Sequence, residues 1–416
     1  MMTPLRSLLL LVVALIASPG SAFAQGIRPP WTITDSSGTV ISGFTSGAQA
    51  GDSWQLFKIF AGFGSGNTTI TIVANTTNQL AVAIGAAGNS TLLQQLAAVP
   101  QADQPAALQS LSPQGYELWS DLAFSRAAAL TDRLEQTPVQ SSDRSLYASV
   151  DERHGHIAAD IELNKSTFTS ASALIGGDYR VGPALCLGGF LDFAHTRADL
   201  GLPGSNTTIK DYAPGIRATW SQGAWFASAL AAYDFADYRS QRSIIFTGES
   251  AVASGSTRGQ QALGAIAGGW RMGMGSWDAG TIAGLDYSNW RTDGFMETGA
   301  GAANLTVADQ SAQSLRTRLG VNSGFAWKAG STNFHTSLRA TWLHECKNGI
   351  RSLNAGFGSN TFSLSTHAPH RNSALLGMEI EDKISGLTSL YADFSTEVGG
   401  SPTVSSDCCA GLRTKF

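Results

Sequence analysis

The feature that most constrains the fold of this 416-residue chain is a run of segments, from about residue 143 onward, in which apolar and polar residues alternate. Leu376, Met378 and Ile380, for example, are separated by a glycine and a glutamate. Successive side chains of a β-strand point to opposite faces, so this period of two predicts strands with one apolar and one polar face. Clusters of Gly, Asn, Asp and Ser between the segments are typical of turns.

The number of segments indicates the kind of sheet. We predict twelve strands, near residues 144–156, 168–182, 184–197, 208–222, 224–240, 258–273, 276–290, 312–329, 332–346, 372–384, 387–398 and 407–416. Tight turns are predicted at 181–183, 222–223, 273–275 and 329–331, and longer loops at 198–207, 242–257, 291–311 and 347–371. An even number of antiparallel strands, with short turns at one end and long loops at the other, is typical of a bacterial outer-membrane barrel.

The composition supports a barrel whose outside faces lipid. Only 14% of the residues are charged, against roughly 25% in soluble domains. Seven tryptophans near segment ends are expected in the interfacial girdles of such a barrel. They are Trp220, Trp225, Trp270, Trp277, Trp290, Trp327 and Trp342. A soluble β-sandwich with these tryptophans in its core is the alternative.

The N-terminus predicts export. Residues 1–24 combine Arg6, an apolar run and the small-x-small site Ala22-Phe23-Ala24, which is typical of a secretory signal peptide cleaved before Gln25. The apolar run is about half of the roughly 20 residues that a membrane-spanning helix needs. We expect no later transmembrane helix, so the exported chain is expected to span a membrane only as a closed barrel.

The region 104–138 is predicted to be an amphipathic helix of five to six turns that Pro138 ends. Its apolar residues recur at steps of three and four. They are Tyr116, Trp119, Ala123, Ala127, Leu130 and Leu134. The alternative is an ordinary core helix of a soluble domain, but the sequence offers few other helices for it to pack against.

The sequence predicts no catalysis, cofactor or metal. A formal net charge of -4 argues against a nucleic-acid binder. The four cysteines have no C-x-x-C spacing, and His344-Glu345 lacks the second histidine of a zinc-protease helix. Gly51-Asp52-Ser53 is similar to the nucleophile block of secreted esterases, but Trp54 replaces the usual leucine and no Asp-x-x-His partner follows.

The order of these parts resembles the autotransporters of Gram-negative bacteria. The parts are a signal peptide at 1–24, a short β-type passenger or β-solenoid stub at 25–103, a linker helix at 104–138 and a barrel at 143–416. Three short sequence segments resemble the barrel domain of the same family, namely 177–182 (GDYRVG), 340–345 (ATWLHE) and 410–416 (AGLRTKF). The fold class expected is therefore all-β, a twelve-stranded antiparallel transmembrane barrel with a luminal α-helix.

The resemblance implies partners and an assembly signal. It implies a monomer in outer-membrane lipid that needs the barrel-assembly machinery and periplasmic chaperones, with Leu412 and Phe416 in the C-terminal signal read during assembly. Thr414 departs from the aromatic residue more usual at its position.

The resemblance also places the helix in the pore, and a simple argument about size agrees. Eight strands enclose a space that side chains just fill, so twelve leave room for a helix. The candidate lumen charges are Arg126, Arg316, Arg318, Arg339, Glu379, Glu381 and Arg413. Ala123 and Ala127 are expected to allow close approach to the wall, and Arg126 and Arg133 are expected to meet Glu379 or Glu381.

The predicted function is a translocator that exports and displays its own N-terminal passenger at the cell surface. Some autotransporters cut off the passenger through an asparagine in the pore helix. No asparagine lies between Asn89 and Asn164, so the passenger is predicted to stay attached. The alternative is a passive outer-membrane porin with an N-terminal plug.

Overall fold

The computed structural model describes residues 33–34, 71–72, 92, 95, 98–100, 103–136, 143–157, 165–201, 204–246, 248–347, 352–358, 360–365, 371–399 and 403–416. The predicted signal peptide lies outside the described residues, and so does most of the predicted passenger. Within the latter, β1 (Ile33–Thr34) and β2 (Thr71–Ile72) pair as two short antiparallel strands.

Twelve antiparallel strands close into a barrel, as predicted. They are β3 (Arg144–Ile157), β4 (Ser166–Arg180), β5 (Leu185–Asp199), β6 (Asn206–Gln222), β7 (Trp225–Phe246), β8 (Glu249–Met274), β9 (Trp277–Thr292), β12 (Gln310–Ala329), β13 (Thr332–Glu345), β16 (Asn372–Asp382), β17 (Thr388–Gly399) and β18 (Thr403–Lys415). Each strand pairs with its neighbour in sequence, and the last strand β18 pairs with β3 from Thr403↔Ile157 to Lys415↔Ser145. Closure leaves no unpaired edge, which a lipid environment requires.

The alternation seen in the sequence separates the two faces of the wall. Outward positions carry exposed apolar side chains such as Leu376, Met378 and Ile380. Trp225 and Trp277 are likewise exposed near strand ends. Trp290 was predicted for the same girdle, and this is wrong. It faces the lumen, is 2% exposed, and its indole N–H donates to the hydroxyl of Tyr238 at 2.8 Å.

Tight turns join the strands at one end of the barrel, which we call the turn end. Three of them begin with a glycine at positive φ, Gly223 at 61°, Gly275 at 69° and Gly330 at 60°. The non-glycine residue that follows each of them does not have a positive φ. Gly at the first central position is the requirement of a type II′ hairpin turn, whose twist suits antiparallel strands.

The opposite end, the loop end, differs from prediction. The loop predicted at 242–257 is wrong, because β7 and β8 continue to a hairpin tip at Phe246↔Glu249. Inward Ile244 and Ala253 on this extension are fully buried. Residues 242–257 are rich in Gly, Ser and Thr, so the segment looks like a loop in the sequence although its inner face still packs.

The predicted loops 291–311 and 347–371 also contain strands. These are β10 (Phe295–Met296), β11 (Leu305–Val307), β14 (Ser352–Phe357) and β15 (Asn360–Ser365), which form a separate four-stranded sheet. Its buried Leu305, Val307 and Phe357 belong to one apolar cluster with Trp119. The sheet therefore covers the loop end of the lumen.

The region predicted as one helix forms two. Helix α1 (Gln104–Leu111) and helix α2 (Leu118–Gln136) are separated by a 3₁₀ turn at Pro113–Tyr116. Ser112 is extended, with φ -71° and ψ 139°. Because a residue before proline is disfavoured in the α region, Pro113 explains the break. Tyr116 consequently lies in the turn rather than in the helix. No helix among the described residues is long and apolar enough to cross a membrane.

Candidate functional site

The candidate site is the lumen, which α2 occupies. All six residues of the predicted apolar stripe are at most 8% exposed. Leu130 and Leu134 pack with Tyr147, Leu174 and Phe190 of β3, β4 and β5. The apolar side chains of the helix thus pack on the wall formed by β3 to β8, which we call the closed side, while the helix backbone approaches β9 most closely.

Two arginines of α2 point to acidic residues on the closed side. Arg126 pairs with Asp192, and with Asp211 at 3.0 Å. Arg133 pairs with Asp151, and with Asp192 at 3.1 Å. All five side chains are at most 7% exposed, and Asp192, which both arginines share, is fully buried. Such a cluster holds only while every charge keeps its partners, since an unpaired buried charge is costly.

The partners predicted for these arginines are therefore wrong. Glu379 and Glu381 lie on β16, across the lumen from the cationic face of α2. There they contact Arg413 of β18, at 2.9 Å and 3.9 Å. The Arg413 guanidinium also stacks 3.7 Å from the ring centroid of Tyr391.

The other face of α2 is acidic and meets arginines. Arg339 of β13 contacts Asp132 at 2.9 Å and Asp393 at 2.6 Å. Arg318 of β12 pairs with Glu135 through both terminal nitrogens, one of them at 2.5 Å. We call this wall, formed by β12, β13 and β16 to β18, the cavity side. Cations on one face of α2 and anions on the other fix the rotation of the helix about its own axis.

Arg316, the remaining predicted lumen charge, does not contact α2. It lies between Asp286 and Glu397, at 3.7 Å from each.

A cavity of about 280 Å³ separates α2 from the cavity side. Ala128, Ala129 and Asp132 line it from the helix, and charged residues of the wall line it from the barrel. This volume is large enough for several waters. The two faces of the same helix therefore have different surroundings, one tightly packed and one hydrated.

A glycine makes the Arg339 contact possible. The Arg339 side chain crosses the wall over Gly377, where an added Cβ would lie 2.2 Å from its Cζ. Any larger residue at 377 would displace the guanidinium from Asp132. A glycine inside a strand often marks such a close approach.

A second buried charge cluster lies at the loop end and was not predicted. Glu297 accepts hydrogen bonds from Arg242 at 2.5 and 3.0 Å, from the Tyr116 hydroxyl at 2.5 Å and from the Leu305 N–H at 2.8 Å. Arg242 also donates to the carbonyl of Ser110 at 2.8 Å. Burial and the Glu297 carboxylate raise the pKa of the Tyr116 phenol, which keeps it a donor.

This cluster, which we call the Glu297 clamp, ties together three parts of the chain. Glu297 comes from the loop sheet region, Arg242 from the β7 extension, and Ser110 and Tyr116 from the linker before α2. The sequence showed only a glycine-rich loop around Glu297, so no local pattern pointed to it.

A family model for the autotransporter beta-domain matches residues 146–395, more than half of the chain. The chain belongs to the autotransporter family. This agrees with the resemblance seen in the sequence.

Solved autotransporter structures are similar to this chain. The translocator domain of autotransporter NalP from Neisseria meningitidis has 14% sequence identity and a TM-score of 0.57, over 72% of this chain and 97% of that domain. The beta domain of the Bordetella autotransporter BrkA has 18% identity and a TM-score of 0.48, over 66% of this chain and all of that domain. The NalP likeness shows a shared fold. A search of curated proteins finds no match.

An autotransporter barrel resides in the Gram-negative outer membrane, with short turns on the periplasmic side and longer loops outside. The turn end of this autotransporter is therefore periplasmic and the loop end extracellular. Helix α2 crosses the lumen from the Glu297 clamp, at the extracellular end, to Leu134, at the periplasmic end. There the Leu134 carbonyl accepts a hydrogen bond from Arg217 at 2.8 Å.

The two residues predicted for the assembly signal lie at the periplasmic end. Leu412 is 40% exposed and Phe416 is 66% exposed on the lipid-facing side. The Phe416 N–H donates to the Arg144 carbonyl at 3.0 Å, which joins the last residue to the first barrel strand.

Proposed function

We propose that this outer-membrane translocator barrel exports its own N-terminal segment, residues 25–103, and displays it at the cell surface without catalysis. The segment stays attached to the barrel through α2. The alternative, a passive porin in which the same segment is a periplasmic plug, becomes one outcome of the experiment below.

One observation carries the proposal: the chain upstream of α2 lies at the extracellular mouth. Helix α1 packs against β7, and the Gln95 amide donates to Glu249 at 2.6 Å at the tip of the β7–β8 hairpin. Leu92 is fully buried in the apolar cluster at that end. Leu92 and Gln95 therefore lie at the loop end of the lumen, which supports display of the segment upstream of them outside the cell.

The charges of the lumen support a holding role. Asp192 and Asp211 on one wall, and Arg318 and Arg339 on the other, contact side chains of α2 rather than a free substrate. The Glu297 clamp fixes the linker above them. These contacts support the proposal that the helix is retained after passage, as does the absence of an asparagine between residues 89 and 164.

Protease shaving of intact cells tests surface display. One variant carries an epitope tag near Gly51, and a matched control carries the same tag in the periplasmic Gly330 turn. We expect protease to remove the first tag from intact cells and to spare the second until the outer membrane is permeabilised. If the Gly51 tag also survives until permeabilisation, the segment is periplasmic and the porin alternative replaces the proposal.

We also propose Leu412 and Phe416 as contacts of the barrel-assembly machinery, with periplasmic chaperones delivering a monomeric chain. Phe416→Ser is expected to lower the heat-modifiable folded fraction in cells several-fold, while the purified variant refolds in detergent as the wild type does. A refolding defect of equal size in detergent would indicate a structural role and contradict the proposal.

A further inference from the structure

An aromatic row on the outside of the barrel marks where its lipid-facing band ends at the extracellular side. Phe193, Tyr212 and Phe235 are register partners on β5, β6 and β7. Their exposed fractions are 49%, 47% and 39%. The rings of Tyr212 and Phe235 stack at 5.1 Å. Exposed aromatic side chains of this kind sit at the headgroup level of a membrane.

Basic residues follow this row on the same outward face. Lys210 lies two positions beyond Tyr212, while Arg197 and Arg239 lie four positions beyond Phe193 and Phe235. With the usual rise per residue and a strand tilt of up to about 45°, these positions are about 5 and 10 Å above the aromatic row. That is the height of the polar headgroups.

Further cations extend this surface, which we call the outer basic patch. It consists of Arg197, Lys210, Arg239, Arg258 and Arg291, all exposed and all on β5 to β9. Asp237 is an acidic neighbour, but it lies 3.8 Å from Arg258 with both side chains more than 70% exposed. An exposed pair of this kind contributes little and leaves the patch positive.

The patch differs from the other arginines of the barrel. In the lumen, Arg126, Arg318 and Arg339 are held by buried carboxylates. Among the described residues, Lys210 and Arg239 have no carboxylate within ion-pair distance. Two strands from β5, β3 presents Glu152 and His154 above its lipid-facing residues, 3.2 Å apart. The chain as a whole carries a charge of -4, so the positive charge is local.

We propose that the outer basic patch binds the phosphorylated headgroup of lipid A, the anionic glycolipid of the outer leaflet. Guanidinium groups bind phosphate oxygens in bidentate fashion. Arg197 and Arg239 lie in the same cross-strand row with Thr208 of β6 between them. Two strand spacings place their backbones about 10 Å apart, a span suited to a headgroup with two separated phosphates. The inference uses the outer-membrane orientation and does not depend on passenger export.

The test measures lipid binding by the folded full chain in detergent micelles. Native mass spectrometry follows titration with diphosphorylated lipid A, with phosphatidylethanolamine as the zwitterionic comparison. The patch variant is Lys210→Gln/Arg239→Gln. The matched control, Lys328→Gln/Lys383→Gln, removes two exposed lysines from the periplasmic end. Heat modifiability verifies that each variant is folded.

We expect the wild type and the control to bind lipid A equally, and the patch variant to bind about 25-fold more weakly, since each basic residue near an anionic lipid surface contributes about a factor of five. The charge-conserving variant Lys210→Arg/Arg239→Lys is expected to bind as the wild type does. Equal loss in the patch and control variants would overturn the proposal. Displacement of lipid A by millimolar inorganic phosphate would also overturn it, because the site would then recognise free phosphate rather than a lipid headgroup.

Discussion

The two faces of α2 meet the same barrel in different ways. On the closed side, Arg126 and Arg133 share the fully buried Asp192. On the cavity side, Asp132 reaches Arg339 beside a cavity of about 280 Å³, with side-chain exposures of 21% and 13%. Both faces carry ion pairs, but only one of them excludes water.

This difference indicates a division of roles. Buried ion pairs specify one position of the helix, because any displacement leaves a charge without its partner in a low-dielectric region. Hydrated pairs tolerate displacement, because water replaces the lost contact. We therefore infer that the closed side sets the position of α2 and that the cavity side accommodates small movements. Hydrogen exchange of the α2 amides in the folded protein tests this difference between the closed side and the cavity side.

The largest effect is expected for Asp192→Asn. The substitution keeps the shape but removes the charge shared by two arginines, and removal of one member of a buried charge cluster costs about 3 kcal/mol or more. Exchange of the α2 amides should accelerate by roughly two orders of magnitude. The control is Asp237→Asn on the outer surface, where exchange of α2 should not change. Equal exchange in both variants would mean that Asp192 does not hold the helix.

A packing comparison should give the next largest effect. Ala123 is 8% exposed and packed in the apolar cluster, whereas Ala129 lines the cavity. Ala123→Leu is expected to destabilise α2 by about 2 kcal/mol through overpacking. Ala129→Leu should change its stability by less than about 0.5 kcal/mol, since the added atoms enter open space. If Ala129→Leu destabilised α2 more than Ala123→Leu, residue 129 would lie on the tightly packed face of the helix and residue 123 on the open one.

The smallest effect is expected on the cavity side. Asp132→Asn leaves Arg339 with Asp393 and with access to water, so the cost should be about 1 kcal/mol or less. The exchange rates of α2 should rise by less than tenfold. If Asp132→Asn and Asp192→Asn accelerate exchange equally, hydration does not distinguish the two faces.

The sequence predicted the barrel because its signal is local. Each strand needs only its own alternation, as in Leu376, Met378 and Ile380, to place an apolar face toward lipid. The apolar stripe of α2 was visible for the same reason, since positions three and four residues apart share one side of a helix.

The ion-pair partners of α2 were not predictable in the same way. Asp192 and Glu379 are both carboxylates at inward strand positions, and no local sequence pattern distinguishes them as partners. The choice depends on the rotation of the helix and on the register of β3, β4 and β5, which brings Asp151 and Asp192 to one arginine. Trp290 was mispredicted because an inward aromatic residue near a strand end looks the same in sequence as a lipid-facing one. The β7–β8 extension was predicted as a loop because it is rich in Gly, Ser and Thr.

The β7–β8 hairpin has a consequence for any segment upstream of α1. Its strands have 22 and 26 residues, at least twice the 9 to 11 that cross a bilayer, and α1 and Gln95 contact it. Under the proposed export, the chain upstream of Leu92 would start beside this hairpin with one end already held in place. A segment with one immobilised end has less conformational entropy to lose when it folds, so the hairpin would favour folding of that segment at the cell surface.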